Sequence, residues 1–321
     1  MNTDTCDLCG GDNFTQISDR DRDNQKLNTV ACQRCGLVRH ETVPSEAELQ
    51  EFYATDYRQA YNGERTPGSR RIMRAWNNGL RICRQIGNEL RPSGRVLEVG
   101  AGIGCTVKVF ERAGFRSEGI DPGGEFLSYS RDKLRADVQV RSLYDLTENS
   151  CYDTVLLIHV IEHLRSPKAA LERIAELLKP NGMFYVECPN LQAPFARRSQ
   201  LFHTAHIHNI VPSTLKMLAE SCGFELQCRY GDERDPNLQM LFRKTGRRQL
   251  NIDSDNYRRT IADLKQADPL PYHLRMRYVT DRLQKLASYA KEHLFARRFV
   301  DQLVKTCSPE VAPEKKQQRA A

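Results

Sequence analysis

No apolar run of about 18 residues or more, the length needed to cross a bilayer, occurs in the 321 residues. A spanning helix is excluded. The opening stretch, MNTDTCDLCGGDNF, also lacks the basic region followed by an apolar one that marks an export signal. An unexported, soluble chain in the cytoplasm is expected, and no internal repeat is visible. Strong charge of one sign is missing as well, since 48 Lys and Arg face 41 Asp and Glu, a formal +7. The excess is uneven: from Asp255 onward 14 basic residues face 8 acidic ones. That would suit an acidic partner such as nucleic acid or a phosphorylated substrate. A solvated helical surface is the simpler reading, because Leu274, Tyr278, Leu283, Leu286 and Leu294 recur at near-helical spacing and require a core.

A dinucleotide fingerprint is absent where one would be sought. The stretch Val96-Leu97-Glu98-Val99-Gly100-Ala101-Gly102-Ile103-Gly104 runs an apolar strand into an ExGxGxG turn and then a helix. Glycines there let the backbone turn sharply and approach a ligand. GxGxxG begun at Gly100 would need glycine at Cys105, and begun at Gly102 would need it at Val107. Neither fits. Glu98 at the strand end would repel a pyrophosphate but suits an ammonium or sulfonium group. S-adenosylmethionine carries both.

Eleven cysteines without an export signal point to metal ligands and reduced thiols. Cys6-x-x-Cys9 and Cys32-x-x-Cys35 form two half-sites, each followed by a glycine, Gly10 and Gly36, that permits a tight turn. Four thiolates satisfy tetrahedral Zn²⁺ completely, so a structural ion is expected. The other seven cysteines show no paired spacing and read as buried thiols.

Four units follow: a four-cysteine, zinc-ribbon-like module over 1–45, a helical linker or cover over 46–91, a cofactor-binding domain over 92–245, and a helical extension over 246–321 whose end, SPEVAPEKKQQRAA, reads as disordered. Ser45 and Glu48 form a capping box ahead of Leu49, Phe52 and Tyr53, and a second helix runs through Trp76, Leu80 and Cys83. After Pro92-Ser93-Gly94 strands and helices alternate as in a parallel sheet. Strands are expected at 95–99, 116–120, 138–141, 152–158, 182–188, 224–230 and 238–243, and helices at 106–113, 125–134, 167–178 and 213–222. Only Gly231 to Asn237 separate the last two strands, too few for a crossover helix, so they should form an antiparallel edge hairpin.

Asp121, in Gly119-Ile120-Asp121-Pro122 at the end of the second strand, can accept both hydroxyls of a ribose. Ser142 and Leu143 close the third strand and can frame an adenine. On these residues the segment Arg95 to Arg243 resembles class I S-adenosylmethionine-dependent methyltransferases in their seven-stranded, Rossmann-like α/β form. His159-Val160-Ile161-Glu162-His163-Leu164 is similar to a segment of a subgroup that includes sugar and quinone-biosynthesis methyltransferases. The ribbon, with Cys35-Gly36-Leu37-Val38 and the later Phe52-Tyr53, Tyr57-Arg58 and Tyr61, resembles members that modify polysaccharides or nucleotide sugars. The resemblance implies cofactor contacts at Glu98, Gly100, Gly102 and Asp121, with Gly104 completing the loop.

Methyl transfer depends mainly on positioning, and a base is needed only when the acceptor must lose a proton. His159, emerging at the ligand edge after the buried strand, Glu162 and His163 a turn later, and His206 in Ala205-His206-Ile207-His208-Asn209 are the candidates. His206 also matches a recurrent histidine of the family. HxxHxH over His203, His206 and His208 is a weak metal pattern on an uncapped loop. Tyr185 and Glu187 are substrate-facing candidates on the fifth strand. The expected reaction methylates O or C of a small molecule such as a sugar or nucleotide sugar. Two other readings compete: an RNA methyltransferase gripping phosphates with ribbon and tail, and a binding protein that keeps the fold without catalysis. The tail lacks the interleaved aromatics of single-strand binders, which disfavours nucleic acid. The intact glycine loop with both acids argues against the third.

Overall fold

The structure, a computed structural model, describes residues 5–49, 66–123, 126–193, 196–233, 235–265, 267–268, 273 and 277–307. The expectations on Phe52, Tyr53, Tyr57, Arg58, Tyr61, Glu125, Leu274 and the 308–321 tail fall outside them.

Seven strands form one sheet: β4 (Arg95–Val99), β5 (Arg116–Ile120), β6 (Val138–Gln139), β7 (Tyr152–Ile158), β8 (Leu178–Pro189), β10 (Phe224–Tyr230) and β11 (Asn237–Lys244). Their order is β10-β11-β8-β7-β4-β5-β6. The pairs β4·β5, β4·β7, β5·β6 and β7·β8 are parallel, while β11 runs antiparallel to both β8 and β10. This is the expected seven-stranded Rossmann-like α/β sheet with its antiparallel edge. Val96, Leu97, Val155, Leu156 and Leu157 are buried because helices cover both faces of the parallel strands. Strand order reverses at β4, between β5 and β7, and the crevice beyond the carboxyl ends of those strands is where an open α/β sheet holds a ligand.

The connecting helices are α1 (Ser69–Ile86), α2 (Cys105–Arg112), α3 (Pro167–Leu177) and α4 (Pro212–Ser221). The stretch expected to be helical before Leu134 is a short turn, Leu127–Tyr129, continued by a π turn, Ser130–Leu134. Ser166 caps α3 by accepting from the Ala169 N–H at 3.1 Å.

The amino-terminal residues build a second sheet from β1 (Phe14–Arg20), β2 (Lys26–Cys32), β3 (Val38–His40) and β9 (His208–Asn209), in that order. The fourth strand comes from the loop that follows β8, so the module is completed by the larger domain. Val38 pairs with Asn209 and Arg39 with His208. Asp7, inside the first cysteine pair, accepts from Ser166 Oγ at 2.7 Å and from the Lys168 N–H at 2.9 Å, fastening the module to the start of α3. Asn256, at the start of α5 (Asn256–Lys265), donates to the Cys35 carbonyl at 2.8 Å.

The long α6 (Arg277–Cys307) packs on α1, with Arg74 donating to Glu292 at 2.7 Å. One expectation is corrected here. Leu283, Leu286 and Leu294 do not enter a core: they are 60%, 63% and 71% exposed. The buried stripe is Glu292, Ala296, Leu303 and Cys307. Leu294 sits two residues before Ala296, about 200° around the helix, and so faces away. Leu274 and the Tyr278 side chain lie outside the described residues. Among the described residues no helix is long and apolar enough to cross a membrane.

Candidate active site

Glu98, the last residue but one of β4, is almost fully buried, and its Oε2 has no hydrogen-bond partner. Burial disfavours its charge and pushes its pKa up to about 8, against smaller opposing hydrogen bonds from Thr106 and the Val107 backbone. The loop that follows holds Gly100, Gly102 and Gly104 at φ of 76°, 49° and 78°, in the left-handed region. At Gly100 and Gly104 side chains are excluded twice over, because a Cβ would run into Val160 Cγ2 and Ser130 Oγ respectively. Asp121, beyond β5, clamps the loop across the crevice: Gly102 N–H donates to its Oδ2 at 2.9 Å and Gly123 N–H to its Oδ1 at 2.8 Å.

These residues line a cavity of about 490 Å³, closed by Phe126 and by one face of α1 that presents Arg71, Ala75 and Asn78. The volume is that of an ordinary small-ligand site. Sequence reasoning missed the α1 contribution, although Arg71, Ala75 and Asn78 at i, i+4 and i+7 form one helical face. Gly104 lies behind the lining as the left-handed residue that starts α2. Ser142 and Leu143 stand apart from the cavity: Ser142 caps a turn with Asp145, and Leu143 is buried in the core.

A second cavity, about 450 Å³, abuts the first. Its walls include Arg22, Glu162, His203, His206 and Asn237, and it shares His159 and His163 with the first. Arg22 comes from the β1–β2 turn of the cysteine module and is held there by its N–H donating to the Phe202 carbonyl at 2.8 Å. Nothing in the local sequence marked it, because its approach depends on contacts distant along the chain, such as that with the Phe202 carbonyl.

His159 follows β7 with φ of 53°, a left-handed backbone uncommon for a side-chain-bearing residue. Its Nδ1 lies 3.4 Å from Glu162 and its Nε2 3.6 Å from Glu187. Burial opposes the imidazolium, yet the two carboxylates outweigh it and raise the pKa to about 10. His203 and His206 are lowered to about 3 and about 2, by burial first, and their rings lie 3.8 Å apart between centroids, tilted by 45°. Tyr185 and Glu187 sit behind this wall: Tyr185 donates to Glu187 Oε2 at 3.0 Å, and Arg81 of α1 pairs with the same oxygen.

The four predicted thiols converge. Cys6 Sγ lies 3.5 Å from Cys35 Sγ, and Cys9 Sγ lies 3.6 Å from Cys32 Sγ. A tetrahedral zinc with bonds of about 2.3 Å has sulfur–sulfur edges of about 3.8 Å, so these residues fit the ion.

The chain is similar to several known proteins. It is 34% identical over 101 residues to a ubiquinone biosynthesis O-methyltransferase of Rhodopseudomonas palustris, spanning 30% of this chain and 40% of the relative. A protein of the same name from Xanthomonas campestris is 28% identical over 128 residues, 38% of this chain and 53% of the relative. The chain thus spans about half the length of these curated relatives. The 1,6-didemethyltoxoflavin-N1-methyltransferase of Burkholderia thailandensis, solved with S-adenosylhomocysteine, superposes with a TM-score of 0.47 at 19% identity, covering 65% of this chain and 96% of that one. Residues 71–229 match a family described as Methyltransferase domain. Both cavities draw most of their walls from this stretch, which is similar to a methyltransferase domain.

Proposed function

We propose that the chain is an S-adenosylmethionine-dependent methyltransferase acting on a small molecule, with the Glu98 cavity for the donor and the histidine cavity for the acceptor. The observation that carries this is the meeting of the two cavities at His159 and His163. When bound, the cofactor supplies a methyl carbon activated by its sulfonium. The chain's own residues supply the rest: the partnerless Glu98 oxygen offers a buried seat for a cation, and the Gly100–Gly104 turn brings backbone close to a ligand. Asp121 faces the same cavity with lone pairs left for a ribose. Positioning donor and acceptor in adjoining pockets accounts for much of the rate. His159, Glu162, His163 and His206 are the polar groups that meet the acceptor. Cys6, Cys9, Cys32 and Cys35 hold structural zinc, and the module they form presents Arg22 to the acceptor side. The relatives' names support an oxygen acceptor, and the ribbon resemblance supports a sugar or nucleotide sugar.

The test is transfer of labelled methyl from S-adenosylmethionine to nucleotide sugars, to catechol-type phenols and to total RNA, assayed separately. Label in a small molecule is expected. Label confined to RNA overturns the acceptor class.

Glu98 gives the cofactor site a pH signature. The unfolded chain releases this proton near 4.5, whereas the ligand-free fold holds it to about 8, so the residue favours unfolding increasingly as pH rises across that window. Glu98→Gln should therefore stabilise the ligand-free protein at neutral pH while weakening cofactor binding. Seating a cationic ligand should charge Glu98, releasing up to about one proton near pH 7, with affinity rising towards pH 8. Calorimetry in two buffers of different ionisation heat measures this. Equal heats in both would remove Glu98 as the counter-charge.

A further inference from the structure

Glu162, His163 and His206 place a carboxylate oxygen and two imidazole nitrogens within 4.8 Å of one another on the wall of the acceptor cavity. Glu162 is 2% exposed, and neither of its oxygens has a hydrogen-bond partner. The nearest nitrogens, His159 Nδ1 at 3.4 Å and His163 Nε2 at 3.9 Å, stand at ion-pair distance only. His159 faces that carboxylate from one side as an ion-pair partner, and its oxygens, still without a hydrogen bond, leave room for a further positive group on the other side.

His163 points the same way. Its Nδ1 lies 2.7 Å from the Ala205 carbonyl, which can only accept, so Nδ1 carries the hydrogen. Its Nε2 lies on the Glu162 side, 3.9 Å from Oε1. A backbone carbonyl fixing the far nitrogen of an imidazole is also how metal-bound histidines are oriented. His206 closes the group from another part of the chain, its ring edge-on to His163 with centroids 5.0 Å apart. The loop that carries it is anchored by β9 to the cysteine module.

We propose that Glu162, His163 and His206 bind one first-row divalent cation, separate from the thiolate ion. Two imidazoles favour iron, nickel, copper or zinc over magnesium and calcium, and the carboxylate also suits manganese. Unlike the four-thiolate cluster, three protein ligands leave coordination positions open. Those positions face the acceptor cavity, where they would take an oxygen of the acceptor and lower the pKa of a bound hydroxyl. That last role rests on the methyl-transfer reading, whereas metal binding itself does not.

The test uses the full chain with zinc on its thiolates, titrated with Mn²⁺ alone and followed by the electron paramagnetic resonance of the free ion. Manganese prefers oxygen and nitrogen donors, so it should leave the cysteines alone. One bound Mn²⁺ per chain is expected, with nitrogen couplings from imidazole, and Glu162→Gln and His206→Ala should each weaken it by about tenfold or more. Retained binding of S-adenosylhomocysteine, scored in parallel, shows that each variant is folded. If a variant fails that check, the nitrogen couplings of the wild-type complex decide: their absence overturns the site. No Mn²⁺ bound by the wild type, or binding unchanged in both folded variants, also overturns it. Cofactor binding without Mn²⁺ would reject the metal site alone, and Mn²⁺ binding without cofactor would reject the methyl-transfer reading alone.

Discussion

Cys32→Ser should strip the thiolate cluster of its ion and unfold the amino-terminal sheet, while S-adenosylmethionine still binds. The module has little else to hold it. Its sheet is small, and much of its buried apolar content is the cysteines themselves together with Leu8, Val30, Ala31, Leu37 and Val38. Zinc in such a cluster contributes on the order of 10 kcal/mol of folding free energy in zinc-finger peptides, far more than these contacts replace. The glycine loop and Asp121 belong to the other sheet, so cofactor affinity should change little. The acceptor side should not survive, because Arg22 and the β3·β9 pairing depend on the module. Metal content falling from one zinc per chain to none, rapid proteolysis across 6–40 and lost methyl transfer with retained cofactor binding are the expected results. A zinc-free variant with unchanged melting and protease resistance would show the module to be held by packing alone.

Asp121→Ala should weaken cofactor binding by about 100-fold. The carboxylate takes hydrogen bonds from the Gly102 and Gly123 N–H groups, and each bond to a charged group is worth roughly 1.5–3 kcal/mol. Loss of the clamp lets the glycine turn relax from its left-handed conformation and removes the acceptor for the ribose. Asp121→Asn keeps one carbonyl oxygen and should fall between wild type and alanine. Titration calorimetry ranks the three proteins, and equal affinities would take Asp121 out of the site.

The parallel sheet was legible because β4 and β7 are largely apolar and turn residues such as Pro92-Ser93-Gly94 and Asp121-Pro122 punctuate the chain between elements. β4, β5, β7 and β10 begin and end where the sequence suggests. The β10–β11 hairpin followed from loop length alone. What escaped depended on distance along the chain. β9 is two residues of a loop, with no periodicity to announce that it completes the ribbon sheet, and Arg22 reaches the acceptor cavity through a long-range contact with the Phe202 carbonyl. In α6 the leucines were visible but their face was not, since Ala296 and Cys307 make the buried stripe. The charged histidine site was half legible: HVIEHL placed His159, Glu162 and His163 together, but only the fold brings His206 to them.

The most direct measurement is calorimetric titration of the zinc-loaded protein with S-adenosylmethionine and with S-adenosylhomocysteine. One binding event per chain for both, weakened in Asp121→Ala, is the predicted result. No heat with either ligand, or binding untouched by Asp121→Ala, would contradict the assignment of the Glu98 cavity as the methyl-donor site.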